Sequence, residues 1–127
     1  MKTSCAVALA TLAGLGLGAG GMYGLRAQPK PPVYQVTMVK LTDADAYAKE
    51  YAPIVTALIK AHGGVFEAVG AGTVLEGLPP GTGFAIIRWE SLEHLKGLLE
   101  SPEYKSAHKV GEKYAKFTAV AVNGVQQ

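Results

Sequence analysis

The chain has 127 residues, room for one domain. Lys2 and Arg26 lie in the first 27 residues, which hold no acid, and the remaining hundred carry ten Lys and Arg against ten Asp and Glu, so the bulk of the chain is neutral. A neutral domain without a basic cluster gives no electrostatic case for nucleic acid. The only cysteine, Cys5, lies near the start, which leaves the rest of the chain without a disulfide, a thiol nucleophile or a thiolate metal ligand.

Residues 3–25 are uncharged and rich in Ala, Leu and Gly. A basic start, an apolar middle and small residues are the layout of a secretory signal, with Ala27 before Gln28, or the Gly18-Ala19-Gly20 run, as the cleavage point. The alternative is a membrane anchor, since about 20 apolar residues span a bilayer. Six glycines between Gly14 and Gly24 make that stretch a poor helix. The expectation is therefore a signal peptide over residues 1–27 and an exported protein, periplasmic or secreted. Membrane attachment follows only if the leader stays uncut. Residues 28–32 are a proline-rich, stiff linker, and the domain runs from 33 to 125.

Val33 to Leu41 reads as a strand, being β-branched and aromatic without helical period. Thr42 or Asp43 caps a helix, with Asp45 as a capping-box acid. Tyr47, Tyr51, Ile54 or Val55, Leu58 and Ile59 recur at helical steps, and Pro53 predicts a kink or restart. His62 and the Gly63-Gly64 pair end that helix. A second strand covers residues 65–69 and bends at residues 70–72 into an extended arm over 73–76. Residues 77–83 form a loop by composition. The third strand, 84–89, leads to Ser91, which caps a helix with Leu92, Leu95, Leu98 and Leu99 inward. Ser101-Pro102-Glu103 is a fresh helix start, and that helix is expected to run towards Tyr114. The last strand covers 117–123.

The order strand, helix, strand, strand, helices, strand is the split βαβ pattern of the α+β ferredoxin-like fold: one four-stranded antiparallel sheet with helices on one face. In the strands, Tyr34, Val36 and Met38 alternate with Gln35, Thr37 and Val39, and both faces are largely apolar. Helices cover one face. The other requires a partner, and a second copy is the simplest one, which predicts a homodimer with a barrel-like core.

Residues 43–53, the His62-Gly63-Gly64 turn, Glu76-Gly77, Ser91-Leu92-Glu93, residues 101–104 and residues 111–117 together resemble the domain-of-unknown-function 1330 (DUF1330) family of the dimeric α/β-barrel superfamily. The resemblance covers about residues 33–125. It implies the ferredoxin-like fold and a homodimer, and the family has no settled activity. The wider superfamily includes small monooxygenases, isomerases and haem enzymes that use a pocket between sheet and helices. Where relatives often carry arginine, this chain has Val65, Val69 and His108, so an anion held by those arginines would be bound differently here or not at all.

The expected ligand is a small, partly apolar molecule between sheet and helices. Candidate contacts are Tyr47, Tyr104, His108, Glu76, and the Glu67 and Arg88 couple on paired strands, whose bland alternative is a cross-strand ion pair. If the protein is a cofactor-free isomerase or monooxygenase-type enzyme, His94 or Tyr47 would serve as acid or base. A third possibility is a structural or interaction module. The three histidines lack the spacing of a zinc site, so neither metal nor cofactor is expected.

Overall fold

The computed structural model describes residues 30–125; the leader over residues 1–27 and the start of the linker lie outside the described residues. In chain order the elements are β1 (Val33–Leu41), α1 (Ala44–Ala46), a π-helical turn (Tyr47–Tyr51), α2 (Ala52–Ala61), β2 (Val65–Ala71), β3 (Gly83–Trp89), α3 (Leu92–Glu100), α4 (Pro102–Gly111) and β4 (Ala115–Asn123). The strands form one antiparallel sheet in the order β2-β3-β1-β4. This is the ferredoxin-like α+β arrangement expected from the sequence. Among the described residues, no helix is long and apolar enough to cross a membrane.

Asp43 is the cap of the first helix, its Oδ1 accepting from Ala46 N at 3.1 Å. That places Ala46, not Asp45, at the capping-box position, and Asp45 instead supplies a negative charge to the first turn. The kink expected at Pro53 takes the form of the π turn. Proline has no N–H, so the Lys49 carbonyl has no partner four residues on. The preceding turn widens, and Ala52 N–H bonds the Tyr47 carbonyl five residues back. α2 ends at His62, whose ring Nδ1 lies 2.9 Å from the Leu58 carbonyl, an oxygen that also accepts from His62 N at 3.1 Å.

β2 carries a bulge between Phe66 and Ala68 and runs on to Ala71, past the end expected at Val69. Ser91 caps α3, its Oγ accepting from His94 N at 3.2 Å, and Ser101 caps α4, its Oγ accepting from Tyr104 N at 3.2 Å. α4 stops at Gly111, short of Tyr114, whose carbonyl turns away to accept Thr42 N at 2.8 Å and Asp43 N at 3.2 Å.

The core lies between the sheet and the helices. Trp89 and Leu98 are fully buried, and Val33, Ile59, Ile87 and Leu95 surround them. Leu92, expected inward, is 39% exposed: α3 offers the sheet only a narrow stripe, and Leu95 and Leu98 fill it, while Leu99 reaches the space between the sheet and the helices. Gly64 lets the chain pass close to Trp89, since a Cβ there would lie 2.6 Å from Ile59 Cγ2 and 2.9 Å from Trp89 Cζ2. Gly97, within α3, faces open space. Urea denaturation of two variants checks this packing. Gly64→Ala should lose about 1–3 kcal/mol by overpacking. Gly97→Ala should gain roughly 0.5–1 kcal/mol, because alanine is the better helix former.

Candidate functional site

A cavity of about 230 Å³ lies between the sheet and the helices. Its floor exists because of a row of residues across the sheet. Val69 pairs with Ala85, Ala85 with Thr37, and Thr37 with Ala119. The last three are small, so the helix layer cannot close down on them. One residue pair further along, large side chains take over with Phe66 and Ile87, while β1 contributes Gln35.

Aromatic rings form much of the remaining wall. Tyr47 and Tyr51 come from the π turn, Tyr104 from α4 and Phe117 from β4. Residues four apart share one face of the winding chain, and the Tyr47 and Tyr51 ring centroids sit 5.1 Å apart. Both rings pack on Phe117, at 6.3 Å and 5.5 Å. Gly111 admits the Tyr51 ring, because a Cβ there would lie 2.7 Å from ring carbons. Val39, Val55, Ile59, Leu98 and Leu99 complete the apolar lining.

The polar groups are few. No Asp, Glu, Lys or Arg lines the cavity among the described residues. Gln35 and His108 do. Gln35 Oε1 accepts from Trp89 Nε1 at 3.0 Å. His108 Nδ1 lies 3.3 Å from the Tyr104 hydroxyl, and its Nε2 lies 3.5 Å from Glu112 Oε2. The His108 ring stacks on Tyr104 with centroids 5.4 Å apart and leans on Phe117 at 5.0 Å.

The phenols are held neutral. Burial pushes the Tyr51 hydroxyl well above its usual range, helped by Tyr104, Tyr47 and the Glu112 carboxylate. Burial likewise raises Tyr104, with Glu112 adding to the effect and the Tyr51 hydroxyl opposing it. Tyr47 is raised by burial first and by Tyr104 second. At neutral pH the site therefore presents hydroxyl donors and no phenolate.

The structure brings Tyr47, Tyr104 and His108 together on the cavity wall. The other candidates lie elsewhere. Arg88 follows Ile87 in the strand alternation, so it points away from the helices, and its Nε meets Glu67 Oε2 at 2.6 Å. Their side chains are 43% and 40% exposed. Such a pair is worth a few tenths of a kcal/mol, roughly. Glu76 lies in the exposed β2–β3 loop, beside a shallow hollow with Leu75, Leu78 and Phe84. His94 sits at the start of α3 with its Nδ1 2.7 Å from Ser91 Oγ and its side chain half exposed. Tyr114 donates to Glu50 Oε1 at 2.8 Å on the surface. A larger hollow of about 570 Å³ between α2 and β2 opens broadly to solvent and offers Lys60 as its charge.

Sequence reasoning missed Gln35. The available signal was one amide among Val33, Val39 and Thr37 on the inward face of the central strand β1.

A ferredoxin-like sheet with a ring-lined cavity under its helices defines the class of protein. Within that class the chain belongs to the DUF1330 family, whose model, "Domain of unknown function", matches residues 32–125. No curated protein matches the chain. Several solved structures share the fold. A protein of unknown function from Rhodopseudomonas palustris superposes with a TM-score of 0.64 at 16% sequence identity, over 85% of this chain and 92% of that one. SnoaB, a cofactor-independent oxygenase from Streptomyces nogalater, does so with 0.54 at 11% identity, over 76% and 96%. A dimeric protein of unknown function and ferredoxin-like fold from Bacteroides fragilis gives 0.50 at 16%, over 72% and 95%.

The raised Tyr51 hydroxyl sets a pH dependence. Its proton stays on in the folded chain after the unfolded chain has lost it near 10, so the stability it confers is present below that pH and is lost as pH rises above it. Urea midpoints at pH 9 and pH 11 should fall between the two values in the natural protein, and Tyr51→Phe should narrow that fall.

Proposed function

We propose that this protein is an exported homodimer that binds a small, largely apolar molecule between its sheet and its helices. The observation that carries the binding reading is the cavity itself. It has apolar walls, stacked rings, neutral hydroxyls and no lining carboxylate or cation among the described residues. An apolar cavity of about 150 Å³ holds benzene, so 230 Å³ takes a molecule of one or two rings. Such a site disfavours a charged ligand, whose desolvation nothing on the wall would offset.

The dimer reading rests on the outer face of the sheet. Val36, Ile86 and Val120 lie in one row there, with Tyr34, Met38, Phe84 and Val122 alongside. Val120 and Val122 are 57% and 51% exposed, and the helices lie on the other side. A face of this composition is stabilised by burial against a like surface, and the Bacteroides fragilis protein of the same fold is dimeric. Export rests on the leader over residues 1–27.

The Tyr104, His108 and Glu112 series favours a second reading, a cofactor-free enzyme that moves protons. SnoaB, a cofactor-independent oxygenase, is a protein of similar fold.

Two measurements test the proposal. Sedimentation at micromolar concentration should give a dimer mass for the natural protein and a monomer for Val120→Asp; a natural protein that sediments as a monomer removes the dimer. Native mass spectrometry of the protein from the exported fraction should show a small adduct per subunit, reduced by Leu99→Trp, which narrows the cavity. Absence of the protein from that fraction refutes export.

A further inference from the structure

Gln35 carries an obligation and a surplus. Trp89 is fully buried, and its indole N–H can only donate, so the group facing it must be the amide oxygen. That fixes the orientation of the carboxamide and leaves Nε2, with two N–H donors, on the other side. Gln35 is only 9% exposed and lines the cavity. None of the hydrogen bonds among the described residues uses Nε2. A buried donor without an acceptor costs about 1–3 kcal/mol, and a ligand oxygen in the cavity would remove that cost.

A second polar feature lines the same cavity. Tyr104 and His108 on α4 and Glu112 at its C-terminal cap follow at steps of one helical turn, and they run from the cavity wall to solvent, Glu112 being 59% exposed. A proton on His108 Nε2, facing the carboxylate, leaves Nδ1 to accept from the Tyr104 hydroxyl. Each donor in this series then has an acceptor, and the inner end is a hydroxyl in an apolar site.

We propose that the cavity takes a small apolar carbonyl compound, holds its oxygen at the Gln35 carboxamide, and exchanges a proton beside that carbonyl through Tyr104, His108 and Glu112. The inference rests on the cavity being a ligand site. In the step, the C–H bond next to the carbonyl breaks and its proton passes to the Tyr104 oxygen, while the Tyr104 proton passes to His108 Nδ1. The C–H electron pair becomes the new C=C bond, and the carbonyl π pair moves onto the oxygen, where the Gln35 N–H groups stabilise it. The imidazolium formed is stabilised by Glu112. Return of a proton along the same path restores the carbonyl, and no oxidant or reductant is consumed. Tyr104 is the group that touches the ligand; His108 and Glu112 act through it.

The test uses two probes of equal shape, 2-indanone and indane, with the purified protein in NMR titrations. The proposal expects 2-indanone to bind roughly five- to tenfold tighter than indane. The Gln35 side-chain amide signal should shift with 2-indanone and not with indane. Gln35→Met should abolish the preference; the amide signal supplies the same answer in the natural protein if that variant does not fold. In D2O the 2-indanone methylene protons should exchange faster with protein than with buffer. His108→Gln should remove the acceleration. Glu112→Gln should slow the exchange, because the imidazolium formed in the step loses its carboxylate. Equal affinity for the two probes with an unmoved Gln35 amide overturns the carbonyl anchor, and exchange unaffected by His108→Gln overturns the relay. If neither probe shifts any cavity residue, the ligand-site reading itself falls.

Discussion

The buried hydrogen bond between Trp89 and Gln35 constrains this domain more than any other contact. Trp89 fills the middle of the core, with Ile59 on one side and Gly64 giving way beneath it. A tryptophan buried this fully must find an acceptor for its N–H, and the neighbouring strand β1 supplies one at 3.0 Å. An amide cannot offer an oxygen without bringing an NH2 group along. The requirement of the core therefore places two donors under the helices, at the edge of the space that small residues leave open. Packing and polarity in the site have a single origin.

Much of the fold was legible because its signals are local. β-Branched runs marked the strands, Ser91 and Ser101 announced their helices, and the alternation in β1 separated two apolar faces. What was not legible depends on contacts between distant segments. The bulge in β2 and the end of α4 at Gly111 are set by what lies across the sheet or across the loop, as the Tyr114 carbonyl shows by turning to Thr42 and Asp43. Leu92 has the helical spacing of a buried residue, yet spacing gives no measure of how wide a stripe the sheet can cover. The π turn was half visible. Pro53 predicted a disturbance, but not whether the helix would break, bend or widen.

The same division holds for the site. Tyr47, Tyr104 and His108 are titratable or hydroxyl-bearing residues on helices, and the sequence singled them out. Glu67, Glu76, Arg88 and His94 share that chemistry but are carried elsewhere: two to the outer face of the sheet, one to a loop and one to the exposed start of a helix. The difference lies in the register of β3, where Ile87 points inward and Arg88 cannot. Gln35 escaped notice because a lone amide in a strand has no motif. Its meaning comes from Trp89, 54 residues away in the chain.

On the proposed function, the two faces of one sheet have two separate tasks. Inward, the row of Ala85, Thr37 and Ala119 gives up packing to leave room for a ligand. Outward, Val36, Ile86 and Val120 form the apolar row that a second copy would cover. Glu67 and Arg88 bear on the second task. Exposed, their ion pair adds little to stability, and no stability argument requires it. Covered by a second sheet, each charge would need the other, because an unpaired charge in an apolar interface costs several kcal/mol, roughly, while the paired form is tolerated. A contact of 2.6 Å already made in the single chain needs no further ordering when a partner covers it. The pair is then better understood as what lets two charged residues stand at the edge of an apolar face than as a source of binding energy.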